Sequence, residues 1–141
     1  MPQPLEYDKN FLPCPVEDGD EIYRNGIFEF NISKMIAYLK QEDSGVSLTE
    51  IDIRSYFREF SSINETHVDS VNLDQPVIIA EISPDRYNMI DGNHRAEKAR
   101  KNGKVMLPGY QLRVGQHLRF LTSKSAYESY VEYWNEKVRG I

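Results

Sequence analysis

A histidine and an arginine stand directly after an Asp-Gly-Asn turn in Ile90-Asp91-Gly92-Asn93-His94-Arg95, where an apolar run passes into a helical pattern. Strand, tight turn and helix place both side chains on the first turn of the helix. There the backbone N–H groups lack intrahelical acceptors and the dipole is positive, which suits an anion. Gly92 and Asn93 tolerate positive φ, and a glycine without Cβ lets a ligand come close to the backbone. His94 and Arg95 are donors that can meet phosphate oxygens, Arg95 in bidentate fashion. Asp91 can cap the helix, accept from a hydroxyl, or serve a base or a metal, which makes Asp91 and His94 the candidate catalytic pair. Glu97 is a weaker acid candidate, because one turn into the helix it can pair with Lys101 at i+4. The pattern alone also allows a plain Asp-Gly turn with His94 and Arg95 hydrogen-bonded to the scaffold.

Other chemistry-bearing residues are sparse. Cys14 is the single cysteine, flanked by Pro13 and Pro15, and reads as an inert thiol in an extended segment. His67, His94 and His117 are too widely spaced to suggest a metal site, so no metal ligands are assigned. The net charge of −5 argues against a DNA partner held by non-specific electrostatics. Charge is uneven along the chain, however. Residues 1–30 hold seven acids against two bases, whereas residues 95–119 hold seven bases against Glu97 alone. The basic stretch is either a solvated helix face or a patch around the turn suited to phosphate.

The elements that must position the turn follow from periodicity. Residues 77–82 form a nearly unbroken apolar run, the mark of a strand buried on both faces. Pro84 marks a turn, and residues 87–90 return as a strand to Asp91. A helix over residues 93–101 buries only Ala96 and Ala99 and ends at Asn102-Gly103. Pro108 and Gly109 precede an alternating strand over 110–114.

Upstream, residues 1–20 hold four of the seven prolines and read as an irregular arm. Asn25-Gly26 signals a two-residue hairpin within 21–30. Ile32, Met35, Ile36 and Leu39 recur at helical spacing behind an Asn31 or Ser33 cap. Ser47-Leu48-Thr49-Glu50 matches a capping box and predicts a helix through Phe60, with a weaker turn near residues 67–71. Residues 115–141 predict a short helical piece and a final helix from Ser123, with Tyr127, Val131, Trp134 and Val138 buried and Tyr130 and Tyr133 partly exposed. The class is α+β: a small mixed sheet with surrounding helices in one domain over 1–141. No apolar run reaches the roughly 20 residues of a membrane span, and residues 1–10 lack a signal-peptide pattern. A cytoplasmic protein is expected.

The order strand, Pro-containing turn, strand, Ile90–Arg95 turn, helix and Gly103 resembles the ParB/sulfiredoxin superfamily, most clearly over residues 75–114. The resemblance implies that Gly92, Asn93, His94 and Arg95 cradle the phosphates of a nucleotide of the ATP or CTP type, with Mg²⁺ assisting. Two departures stand out. Sulfiredoxins carry their nucleophilic cysteine between the glycine and the histidine, where this chain has Asn93. Chromosome-partitioning ParB proteins continue into DNA-binding and dimerisation domains, whereas 27 residues follow Val114 here, so a stand-alone single-domain member is expected. Two functions remain open. One is a Mg²⁺-dependent phosphoryl-transfer or phosphodiester-cleaving enzyme. The other is a non-catalytic module that binds a nucleotide or anion, or a protein partner.

Overall fold

The computed structural model describes residues 2–56 and 75–140. Its elements are β1 (Ile22–Asn25), β2 (Phe28–Asn31), α1 (Ile32–Leu39), β3 (Thr49–Asp52), β4 (Val77–Ser83), β5 (Arg86–Asp91), α2 (Asn93–Lys101), β6 (Met106–Leu112), α3 (Val114–His117) and α4 (Lys124–Val138). Short 3₁₀ turns cover Glu42–Ser44, Ile53–Tyr56 and Leu118–Phe120. The chain is α+β, and it divides into two compact units.

The first unit comprises Met1–Gly45, Glu81–Tyr87 and Arg113–Ile141. β1 and β2 form an antiparallel hairpin with Asn25 opposite Phe28. Gly26 therefore takes the first turn position, at φ +61, the position that a II′ turn gives to glycine. Asn31 caps α1 by accepting from the Lys34 N–H at 3.0 Å, and Ile32, Met35 and Leu39 point inward. Ser123 caps α4 in the same way, through the Ala126 N–H.

The α4 stripe of Tyr127, Val131 and Trp134 is buried as its spacing predicts, whereas Val138 in the last turn is only half-buried. Tyr130 corrects the expectation of partial exposure, because it is fully buried. Its hydroxyl donates to the Glu81 carbonyl at 2.6 Å, and that partner makes burial tolerable for a phenol. The irregular arm runs along α4: Asn135 both accepts from the Leu5 N–H and donates to the Leu5 carbonyl, and the Phe11 ring stacks on Tyr127.

The second unit comprises Val46–Ala80 and Asn88–Leu112. Its sheet has the strand order β3-β6-β4-β5. β6 runs antiparallel to β3, with Ile51 opposite Leu107, and parallel to β4, with Val77 opposite Gly109. Every residue of β4 is buried, as a continuous apolar run requires.

The capping-box expectation at Ser47–Glu50 fails. Thr49–Asp52 is a strand, and no α-helix forms over 49–56. A local S-x-x-E signal loses here to strand pairing, which buries Ile51 against β6 while Thr49 and Glu50 stay exposed. The expected continuation through Phe60 and the turn near 67–71 lie outside the described residues. β6 also starts earlier than predicted and includes Pro108. That residue stands opposite Glu50 inside the β3 ladder, while the ladder with β4 begins one residue later at Gly109, so Pro108 has no β4 partner.

Candidate functional site

β5 delivers the chain to the turn with Asn88, Met89 and Ile90 buried. α2 then begins at Asn93, as its sequence predicts, with Gly92 rather than Asp91 at the N-cap. Gly92 holds φ +102 and ψ 16, a conformation that a side chain makes costly. A Cβ at Gly92 would lie 2.5 Å from Val77 Cγ1, 2.9 Å from Val77 Cβ and 3.1 Å from Arg95 Nη2. The space freed by this glycine is thus filled by the chain's own Val77 rather than kept for a ligand. Gly109 makes a matching notch on the other side, where a Cβ would come within 2.7 Å of Val77 Cγ2 and 2.6 Å of Ile51 Cγ1. Val77 is wedged between the two glycines, and this wedge fixes the turn against the sheet.

Arg95 is committed to the same joint. Its Nη2 donates to the Pro76 carbonyl at 2.9 Å and to Asp91 Oδ2 at 3.1 Å. The ion pair is mostly sheltered, with side-chain exposures of 17% and 14%. Arg95 Nε is buried without a hydrogen-bond partner. The guanidinium therefore ties the start of α2 to the residue that precedes β4. Asn93 and His94, both half-buried, complete the first turn, and Asn93 Nδ2 donates weakly to the Met89 carbonyl at 3.4 Å. Gly92, the N-cap residue, has no side chain with which to cap α2, and no acid lies in its first turn. The structure thus brings all five expected residues, Asp91 through Arg95, into one turn.

The basic residues near the turn are distributed differently from the patch considered above. Lys98, Arg100 and Lys101 lie in the last turn of α2, about 9–14 Å along the helix from Gly92 at 1.5 Å per residue. There they complement the negative end of the dipole. Glu97 forms its ion pair with Arg100 at i+3, 2.5 Å away, and Lys101 at i+4 adds a weaker electrostatic attraction. That hydrogen bond holds the Glu97 carboxyl below its ordinary range despite its burial.

A resident Mg²⁺ does not fit this donor set. Asp91 Oδ2 already accepts from Arg95, and among the described residues no group of three or more His, Cys, Asp and Glu could hold a metal ion. Two of the remaining candidates, Cys14 and His117, belong to the first unit. His117, in the first unit, is fully buried, with Nε2 2.6 Å from the Glu81 carbonyl, and burial lowers its pKa to about 4. Cys14 is buried too, and burial raises its thiol pKa. His67 lies outside the described residues.

Sequence reasoning missed the partners of the turn: the Pro76 carbonyl, Val77 and Gly109. Val77 could be read only as the first residue of a buried run and Gly109 only as turn chemistry. No local signal told that the two meet at Gly92. Compared with known families and curated proteins, the chain matches no family model and no curated protein.

Proposed function

We propose that the Asp91–Arg95 turn is a phosphate-binding site and that the chain is a ParB/sulfiredoxin-like domain for a nucleotide of the ATP or CTP type. The observation that carries this reading is the start of α2. A nine-residue helix opens at a glycine N-cap, with no acid in its first turn, beside Asn93 and His94. Its leading N–H groups and dipole favour an anion. The succession β4, turn, β5, Gly92, α2, Gly103, β6 supports the family reading, since it is the order on which the resemblance rests. In this proposal Asn93 and His94 contact phosphate, Gly92 sets the backbone, and Arg95 positions the turn through Asp91 and Pro76. Any Mg²⁺ would come with the phosphates, since magnesium in nucleotide sites is held by phosphate oxygens and keeps several of its waters.

Between the enzyme and the binding module, the Asp91–Arg95 pair favours binding. A general base or metal ligand works through an available carboxylate oxygen, and Arg95 occupies Oδ2. Catalysis by Asp91 and His94 would run through a carboxylate whose charge Arg95 already partly neutralises.

The test is thermal unfolding with ATP, CTP and inorganic phosphate, with and without Mg²⁺. A ligand at about 100 times its Kd adds roughly 2.7 kcal/mol to the folded state. Asn93→Asp separates binding from folding. It puts a carboxylate on the first turn, where the dipole favours it by about 0.3–1 kcal/mol, yet it repels phosphate. The expected result is a melting temperature that rises with nucleotide in the wild type and not in Asn93→Asp. No shift with any of the three ligands overturns the reading. Metal-dependent product formation that His94→Ala abolishes would replace binding with catalysis.

A further inference from the structure

Beyond the Asp91–Arg95 turn, the second unit holds a cavity of about 370 Å³ beside the later turns of α2. Its floor is apolar: Ile53 and Ala96 are 3% and 5% exposed, and Val105, 42% exposed, forms a wall. Three cations, Arg54, Arg100 and Lys104, stand around it. Two of them are already matched. Arg54 donates through Nε and Nη2 to the two carboxylate oxygens of Asp52, at 3.0 and 2.7 Å. Arg100 donates through Nε and Nη2 to those of Glu97, at 3.2 and 2.5 Å. Lys104 has no ion pair among the described residues. Among the described residues the rim therefore carries one uncompensated positive charge. The walls are fixed by backbone hydrogen bonds, Ile53 N–H to Val105 O at 3.0 Å and Lys104 N–H to Ala99 O at 2.8 Å. The volume falls at the small end of the range that holds compact ligands, about 300–1,000 Å³.

We infer that this cavity binds a small organic monoanion, an aryl or medium-chain carboxylate, with its apolar body on Ile53, Ala96 and Val105 and its carboxylate on the Lys104 ammonium. The shape of the argument is charge and surface together. An apolar floor selects against inorganic phosphate, and a single spare cation selects a single negative charge. Arg54 and Arg100, each held by its own acid, close the sides without adding net charge. The inference is independent of the phosphate site, because none of its residues belongs to the Asp91–Arg95 turn.

Octanoate is the probe, followed by ¹H–¹⁵N NMR of the full chain, with octanol and acetate as controls. Saturable shifts at Ala96, Gly103, Lys104 and Val105 are expected, with a Kd on the order of 1 mM. Octanol, without charge, and acetate, without an apolar body, should each bind at least about tenfold more weakly. Lys104→Glu and Val105→Asp alter exposed positions and should each weaken octanoate at least about tenfold while leaving the spectrum that of a folded protein. Lys104→Arg should stay within about threefold of the wild type. Three results overturn the inference: no saturation with octanoate, equal shifts with acetate, or an unchanged titration in both charge-altering variants.

Discussion

Replacing Gly92 by alanine should be among the most damaging single-methyl changes in the second unit, and its cost divides into two parts that can be measured separately. The first is conformational. An alanine held at φ +102 costs about 1–2 kcal/mol relative to glycine. The second is steric. The new Cβ would fall 2.5 Å from Val77 Cγ1, and Val77 is fully buried, so relief requires movement in packed surroundings at about 1–3 kcal/mol. Together the loss is about 2–5 kcal/mol, or roughly 6–20 °C in melting temperature for a domain of this size.

Val77→Ala removes both γ-carbons and should itself cost about 1–3 kcal/mol. In the double variant the steric part should largely disappear while the φ cost remains, so the two losses should fall short of additivity by about 1–2 kcal/mol. Relief is incomplete because Val77 Cβ, 2.9 Å from the added methyl, is retained. Urea unfolding of the four proteins supplies the cycle. Strict additivity would refute the wedge. A Gly92→Ala cost below about 0.5 kcal/mol would refute the positive-φ cap as well.

Two further perturbations probe the buried polar groups. His117 is neutral in its buried site, with a folded pKa of about 4 against an ordinary value of about 6.5. The unfolded chain therefore binds the extra proton first, and stability from this group is complete above about pH 6.5 and lost as pH falls towards 4, to a total of roughly 3 kcal/mol. Urea unfolding should show a steeper loss between pH 6.5 and 4 in the wild type than in His117→Gln, and equal slopes would refute the buried neutral imidazole. Arg95→Gln should cost about 2–4 kcal/mol, because the Pro76 carbonyl and Asp91 lose their donor in a sheltered site. Adding Asp91→Asn should recover part of that loss in thermal unfolding, and a single-variant cost under about 1 kcal/mol would show that the clamp is not structural.

What was legible in the sequence is what depends on short-range periodicity or local backbone chemistry. α1 with its Asn31 cap, β4 as a strand buried on both faces, α2 from Asn93 to Lys101 and α4 from Ser123 all follow from residues a few positions apart. The misses share the opposite property. The Ser47–Glu50 capping box is locally valid, yet Ile51 gains more by pairing across from Leu107, which is 56 positions away. Tyr130 looked like a helix-side residue because nothing nearby in sequence offers its hydroxyl a partner, and the Glu81 carbonyl comes from a distant hairpin. The residues of the candidate site were visible as a string, but the division of labour among them was not. Arg95 looks like a phosphate ligand until Pro76, 19 positions earlier, presents its carbonyl.

That division of labour decides what can count as a sign of function at the turn. Gly92 and Arg95, the two residues that most suggest a phosphate cradle, are both required by the scaffold: one by Val77 and its own φ, the other by Asp91 and Pro76. Either would be kept in a protein that bound nothing, since glycine is also an acceptable N-cap at a cost of only a few tenths of a kcal/mol. Their presence therefore discriminates poorly between an anion seat and a plain joint. Charge at the first turn of α2 discriminates well, because helix stability and anion binding pull it in opposite directions. An unliganded helix gains from an acidic residue in that turn, and α2 has none there while cations fill its last turn. A helix shaped by the dipole alone would use both ends. In the proposed reading a ligand would meet the N-terminal positive potential beside the Asp91–Arg95 pair, and Asn93→Asp, which fills it from within, sets stability against binding in a single substitution.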